Sequence, residues 1–131
     1  MVFKGSTRNP PPTQTPVLRP LNVAFQIDPT IGAFVSYSVQ QTVTASIASG
    51  QSGQVSLQIA ADAAFTQNVQ TIAISPGSQT YTLAVALQGV QNMSCPLMGF
   101  IPPGSWVKIV TTNLVGAPVF SMLAGQESLM L

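Results

Sequence analysis

The side chains able to move protons or hold metals are few: Asp28, Asp62, Glu127 and Cys95, in a chain of 131 residues without a histidine. Two carboxylates facing each other across a cleft could serve as the acid and base of glycoside hydrolysis. Each of these three has a local structural role at hand instead. Asp28 precedes Pro29 and fits a turn, Asp62 fits a cap, and Glu127 is placed to pair with a backbone group or a basic side chain. Without histidine, Ser-His-Asp and Cys-His constellations and His-containing zinc sites are excluded. One cysteine makes neither a thiolate metal site nor an internal disulfide, and Cys95 reads as a small buried apolar side chain rather than a reactive thiol. Glycine-rich phosphate loops, Walker motifs, EF-hand loops and dinucleotide fingerprints do not occur, and Asn92-Met93-Ser94 is a tripeptide that chance supplies. Tyr37 and Trp106 could stack on sugar faces; Tyr37 lies on the apolar face of its strand and reads as core, which leaves Trp106 the better candidate. No catalytic residue, cofactor or metal is expected.

What remains is binding, and composition bears on its kind. Charged residues make up 5% of the chain, against about 25% in ordinary soluble domains. A surface so neutral has little charge to repel another copy of itself, which favours packing into a larger assembly. Lys4, Arg8 and Arg19 lie in the first nineteen residues, whereas the body holds Asp28, Asp62 and Glu127 against Lys108, a net of −2. With no basic cluster interleaved with aromatic residues, nucleic-acid binding has little support. No apolar run approaches the roughly 18 residues that cross a bilayer, nor does the N-terminus show the pattern of a signal peptide. Manufacture and retention on the cytosolic side, without membrane insertion, are expected.

The elements that would position a binding surface are strands. Residues 1–20 hold Pro10, Pro11, Pro12, Pro16 and Pro20, which remove backbone donors and fix extended geometry. This segment is expected to be an extended arm, either a disordered tail or a strap along a neighbouring subunit. A single domain is expected over residues 21–131. From Ala33 strict alternation sets in: Val35, Tyr37, Val39, Val43, Ala45 and Ile47 point one way and Ser36, Ser38, Gln40, Thr42, Thr44 and Ser46 the other. Gln41 interrupts the apolar face, and a bulge nearby would accommodate it. Ser49 to Gly53 supplies turn residues before Val55, Leu57 and Ile59 resume the pattern, which predicts a hairpin. Ala60 to Phe65 suggests one helical turn capped near Asp62. Strands are expected over Val69–Ile74, Tyr81–Leu87, Trp106–Thr112 and Val119–Leu123, and the apolar Leu129-Met130-Leu131 ending calls for a surface to pack on. Seven to nine strands at roughly 8–12-residue intervals, with no crossover helices, give an all-β fold: an antiparallel two-sheet sandwich or jelly roll with a proline-rich arm.

Arg19-Pro20-Leu21-Asn22 with Phe25-Gln26-Ile27, followed by Val35-Ser36-Tyr37-Ser38-Val39, resembles the distal module of tailed-bacteriophage tail fibres. The similarity continues in order through Ser49–Gly53, Ala61-Asp62 with Phe65-Thr66, Ile101-Pro102-Pro103-Gly104, Thr111–Asn113, Gly116-Ala117-Pro118 and Gly125-Gln126-Glu127. It covers Leu18 to the end. The resemblance implies a trimeric β-structured virion tip whose loops contact a host-surface polysaccharide or outer-membrane protein, without catalytic residues. The chain opens on Met1 and its arm rather than on a repetitive stalk, so the module could sit on a fibre end, at a tail collar as an adaptor, or on the capsid as a decoration or cement protein.

Two residue sets carry these alternatives. Receptor-facing loops are expected at Gly50, Gln51, Ser52 and Gly53, at Ser75 and Gly77, and at Asn113 and Gly116. Contacts to itself as a homotrimer or to other virion proteins are expected at Lys4, Arg8, Pro11 and Arg19 in the arm, and at Leu129 and Leu131 at the C-terminus.

Overall fold

The alternation read from Ala33 onward becomes the longest strand of a two-sheet structure. The computed structural model describes residues 14–45, 51–75 and 89–130. Through them run β1 (Gln14–Pro16), β2 (Phe25–Gln26), β3 (Ala33–Ala45), β4 (Ser52–Ala60), β5 (Gln70–Ser75), β6 (Gly89–Ile101), β7 (Trp106–Val115) and β8 (Val119–Leu129). All pairings are antiparallel, and they form two four-stranded sheets in the orders β1-β8-β3-β6 and β2-β7-β4-β5. None of the described residues is helical. The all-β sandwich expected from the sequence is the fold observed; the strand expected over Tyr81–Leu87 lies outside the described residues.

Period two decides which side chains meet between the sheets. Val35, Tyr37 and Val39 of β3, Val55, Leu57 and Ile59 of β4, Cys95 and Leu97 of β6, and Val107 and Ile109 of β7 are buried in one cluster. The edge of the Phe25 ring meets the Tyr37 ring at 6.3 Å between centroids and 87°, which ties the two sheets together. Each such side chain, removed from water, contributes about 1.5–3 kcal/mol before entropy is counted.

Three local expectations are corrected. Ser49 to Gly53 does not close a hairpin, because β3 pairs with β6 and β8 whereas β4 pairs with β5 and β7. Both strands present a largely apolar inner face, interrupted in β3 only by Gln41, and crossing to the opposite sheet buries each against the other, which side-by-side pairing would not. Among the described strands only β4 and β5 are consecutive in one sheet. Ala60 to Phe65 forms no helical turn: Phe65 donates to the Asp62 carbonyl at 3.1 Å and Ala61 to the Gln67 carbonyl at 2.9 Å, with Phe65 at φ 56°. The loop is held by the Asp62 side chain, which accepts from the Thr66 and Gln67 amides at 2.9 Å and the Thr66 hydroxyl at 2.6 Å. Finally, a bulge does occur near Gln41, between Ser38 and Val39, but the extra residue, Leu123, is on β8. Gln41 therefore keeps its inward register and is fully buried.

The arm expected over residues 1–20 is drawn into the sheet from Gln14 onward. β1 pairs with β8, and Val17 donates to the Gly125 carbonyl at 2.9 Å. Gly125 is required there, since a Cβ would lie 2.7 Å from the Val17 carbonyl and 2.8 Å from the Tyr37 ring.

Candidate functional site

The three carboxylates do not face one another. Asp28 accepts from the Thr30 and Ile31 amides at 2.8 Å and from the Thr30 hydroxyl at 3.2 Å, and Asp62 closes its own loop. These hydrogen bonds, led by the Thr30 amide for Asp28 and the Thr66 hydroxyl for Asp62, hold both carboxyls below their ordinary value. Glu127 lies under the arm. Arg19 donates to it through Nε at 2.8 Å and Nη2 at 2.7 Å, Tyr37 donates through its hydroxyl at 2.6 Å, and the guanidinium lies 4.4 Å above the Phe25 ring. The bond to Glu127 raises Arg19, and burial pushes the Tyr37 hydroxyl well above its ordinary value. Every oxygen of Glu127 is thus engaged by a structural partner. Arg19, expected as an intermolecular contact, is an internal clamp, because the return of β8 beside β3 places Glu127 beneath it.

Cys95 is fully buried, and burial raises its thiol, with the Ser75 hydroxyl pulling the other way. Its sulfur lies 3.9 Å from Gln41 Oε1, while Gln41 Nε2 has no hydrogen-bond partner among the described residues. No group of three metal-ligating side chains occurs among the described residues. No helix there is long and apolar enough to cross a membrane.

The expected loop residues separate into two sets. Ser52, Gly53 and Ser75 are buried, contrary to a receptor-facing role. The Phe120 ring and Pro118 close over Gly53, so that a Cβ would collide with the ring, and Ser75 turns toward Cys95. Gln51 is half-buried, whereas Asn113 and Gly116 are exposed at the β7–β8 turn, where Gly116 takes φ 64°. Gly50 and Gly77, with Lys4, Arg8, Pro11 and Leu131, lie outside the described residues. Leu129 packs against its own chain's core, and Met130 donates to the Gly32 carbonyl at 2.8 Å, so this part of the apolar C-terminus is satisfied internally.

Register gathers strand ends into two groups. Ala45 pairs with Gly89, Thr42 with Val119, Ser52 with Val115 and Val55 with Ser75. The strand ends bordering the β3–β4, β5–β6 and β7–β8 connections therefore share one end of the sandwich. Gln14 pairs with Ser128 and Ala33 with Leu129, which puts the entry of β1 and the end of β8 at the other.

A surface not anticipated from the sequence is the outer face of the β1-β8-β3-β6 sheet. Cross-strand pairing sets Phe34 beside Phe100 and Ser128, Ser36 beside Met98 and Gln126, and Thr42 beside Asn92 and Val119. Among its described residues no side chain on this face is charged. Phe34 is 52% exposed, Met98 68% and Val119 65%. The Phe34 and Phe100 rings meet edge to face at 5.3 Å, beside a groove of about 440 Å³ floored by Val35 and Gly99 and walled by Gln126 and Ser128. A second hollow of about 310 Å³ lies between Leu18 and Leu123 on the β1–β8 side, also bounded by Gln126. On the other sheet Lys108 points outward, its ammonium 4.6 Å over the Phe65 ring. The signal for this face was present in the polar half of the β3 alternation, but the aromatic pair needs the β3–β6 register, which periodicity does not give.

No protein-family model matches the chain. A curated relative, the uncharacterized protein 443R of Invertebrate iridescent virus 6, is 32% identical over 106 residues, covering 80% of this chain and 4% of that protein's length. The chain is thus similar to a small part of a much longer viral protein.

Proposed function

We propose that the protein is a non-enzymatic virion module of the tail-fibre type, which binds a host-surface receptor as part of a symmetric oligomer. The observation that carries this reading is the polarity of the sandwich. The strand ends bordering three connections, including the exposed Asn113 and Gly116, share one end, and the β1 entry and the end of β8 occupy the other. A module held at the second end presents the first to a partner. Loops set on a rigid sheet scaffold are the usual carriers of recognition.

The chemistry of the described side chains agrees. Asp28, Asp62 and Glu127 are each committed to local structure, and Cys95 is enclosed in the core, so binding accounts for the available groups better than catalysis does. The viral relative supports a viral origin for this kind of domain. The sequence resemblance supplies the tail-fibre assignment, with a glycan or outer-membrane protein as receptor.

Gold-labelled antibody on intact virions tests the placement. Label at the tail end is the expected outcome. Label spread over the head would replace this reading with a capsid decoration role, in which the neutral sheet face would lie against the shell.

A further inference from the structure

We infer that the outer face of the β1-β8-β3-β6 sheet is the surface on which one copy of this chain packs against another. The inference rests on the oligomeric reading above and names the surface that reading leaves open.

Three observations converge on a second copy as the occupant. The first is charge. This face has no charged side chain among its described residues, although Arg19, Asp28, Asp62, Lys108 and Glu127 are all distributed elsewhere in the described chain. A surface without charge meets its own copy without repulsion and without stranding an ion away from water, whereas an acidic or basic partner would gain nothing from it.

The second is extent. Three strands of 11 to 13 residues and the three-residue β1, about 4.8 Å apart and rising about 3.3 Å per residue, present roughly 600 Å² of face, somewhat below the ~800 Å² that each partner brings to a standard interface.

The third is shape. Met98 and the Phe34–Phe100 pair project on the β3–β6 side, and the hollow between Leu18 and Leu123 lies on the β1–β8 side of the same face. The same face also carries the groove of about 440 Å³ beside that pair, so a projection seated in the groove of a second copy gives an isologous contact, and one seated in the hollow near Leu18 gives a heterologous contact that closes into a ring when the rotation allows. Exposed aromatic and methionine side chains are the types enriched in interface cores.

Sedimentation equilibrium of the full chain and of Met98→Asp, Phe34→Asp and Thr112→Asp tests this, with circular dichroism as the check of folding. Both substituted positions on the proposed face are exposed, so the variants keep the fold; Thr112 is an exposed control on the other sheet. The wild type and Thr112→Asp are expected to be oligomers of equal mass, and Met98→Asp and Phe34→Asp to associate about 100-fold more weakly, through about 2.7 kcal/mol lost on placing an unpaired charge in the contact. Folded Met98→Asp and Phe34→Asp proteins with the wild-type mass would overturn the inference. So would a wild type that is monomeric, including one that binds host cells and loses that binding in the same variants, which would make the face a ligand surface. An oligomer dispersed by Met98→Asp that never binds host cells would leave the interface standing and remove the receptor reading instead.

Discussion

Glu127 and Arg19 are 108 residues apart in sequence and share two hydrogen bonds. The sequence left Glu127 a backbone group or any of the four cations as partner, and the β1–β8 and β3–β8 registers decide for Arg19. The clamp leaves a clear stability signature. Arg19→Ala would leave a carboxylate that is 6% exposed without its cation, and chemical denaturation should show a loss of about 3 kcal/mol. Tyr37 adds a pH dependence. Its hydroxyl is raised in the folded state, so its contribution is fully present below the ordinary value of 10.0 and is lost as pH rises beyond it. Stability should decline in strongly alkaline solution, and Tyr37→Phe should flatten that decline in melts recorded across pH. Gln41 makes the opposite case: its Nε2 is buried without a partner among the described residues. Gln41→Met keeps the length and removes the orphaned donor, and denaturation should show a gain of about 1 kcal/mol.

Strand by strand, the alternation at Val35, Tyr37, Val39, Val55, Leu57 and Ile59 was readable because period two fixes which face a residue occupies. It does not say which strand lies alongside, and for that reason the β3–β4 connection was expected as a hairpin and is instead a crossing between sheets. The same limit hid β1: prolines argue against a central strand, and Gln14–Pro16 is an edge strand, where missing donors cost little. The loop at Asp62 was expected to be helical because alanines favour helix, but three hydrogen bonds to one carboxylate outweigh a propensity of a few tenths of a kcal/mol per residue. Face assignment has a direct test. Val39 and Leu57 are both fully buried, and an aspartate at either position would force a charge into the core at a cost of several kcal/mol. Val39→Asp and Leu57→Asp proteins should be found in the insoluble fraction on expression, and soluble, folded variants would show that these strands do not form the core described.

For the molecule as a whole, low charge content was the most informative feature of the composition, since it led to the expectation of a surface that packs in a larger assembly; the uncharged face proposed for that role emerges only with the register of β3, β6 and β8. The loops named from turn residues were partly legible: Asn113 and Gly116 are exposed, whereas Ser52, Gly53 and Ser75 are enclosed, because turn chemistry marks where a chain bends and not what later packs over it. The central claim, that the module recognises the host surface, is tested most directly by adding purified protein to host cells before challenge with virions and counting unadsorbed particles. The account predicts that adsorption falls as protein concentration rises, because module and virion compete for one receptor. Adsorption unchanged at saturating protein would contradict it.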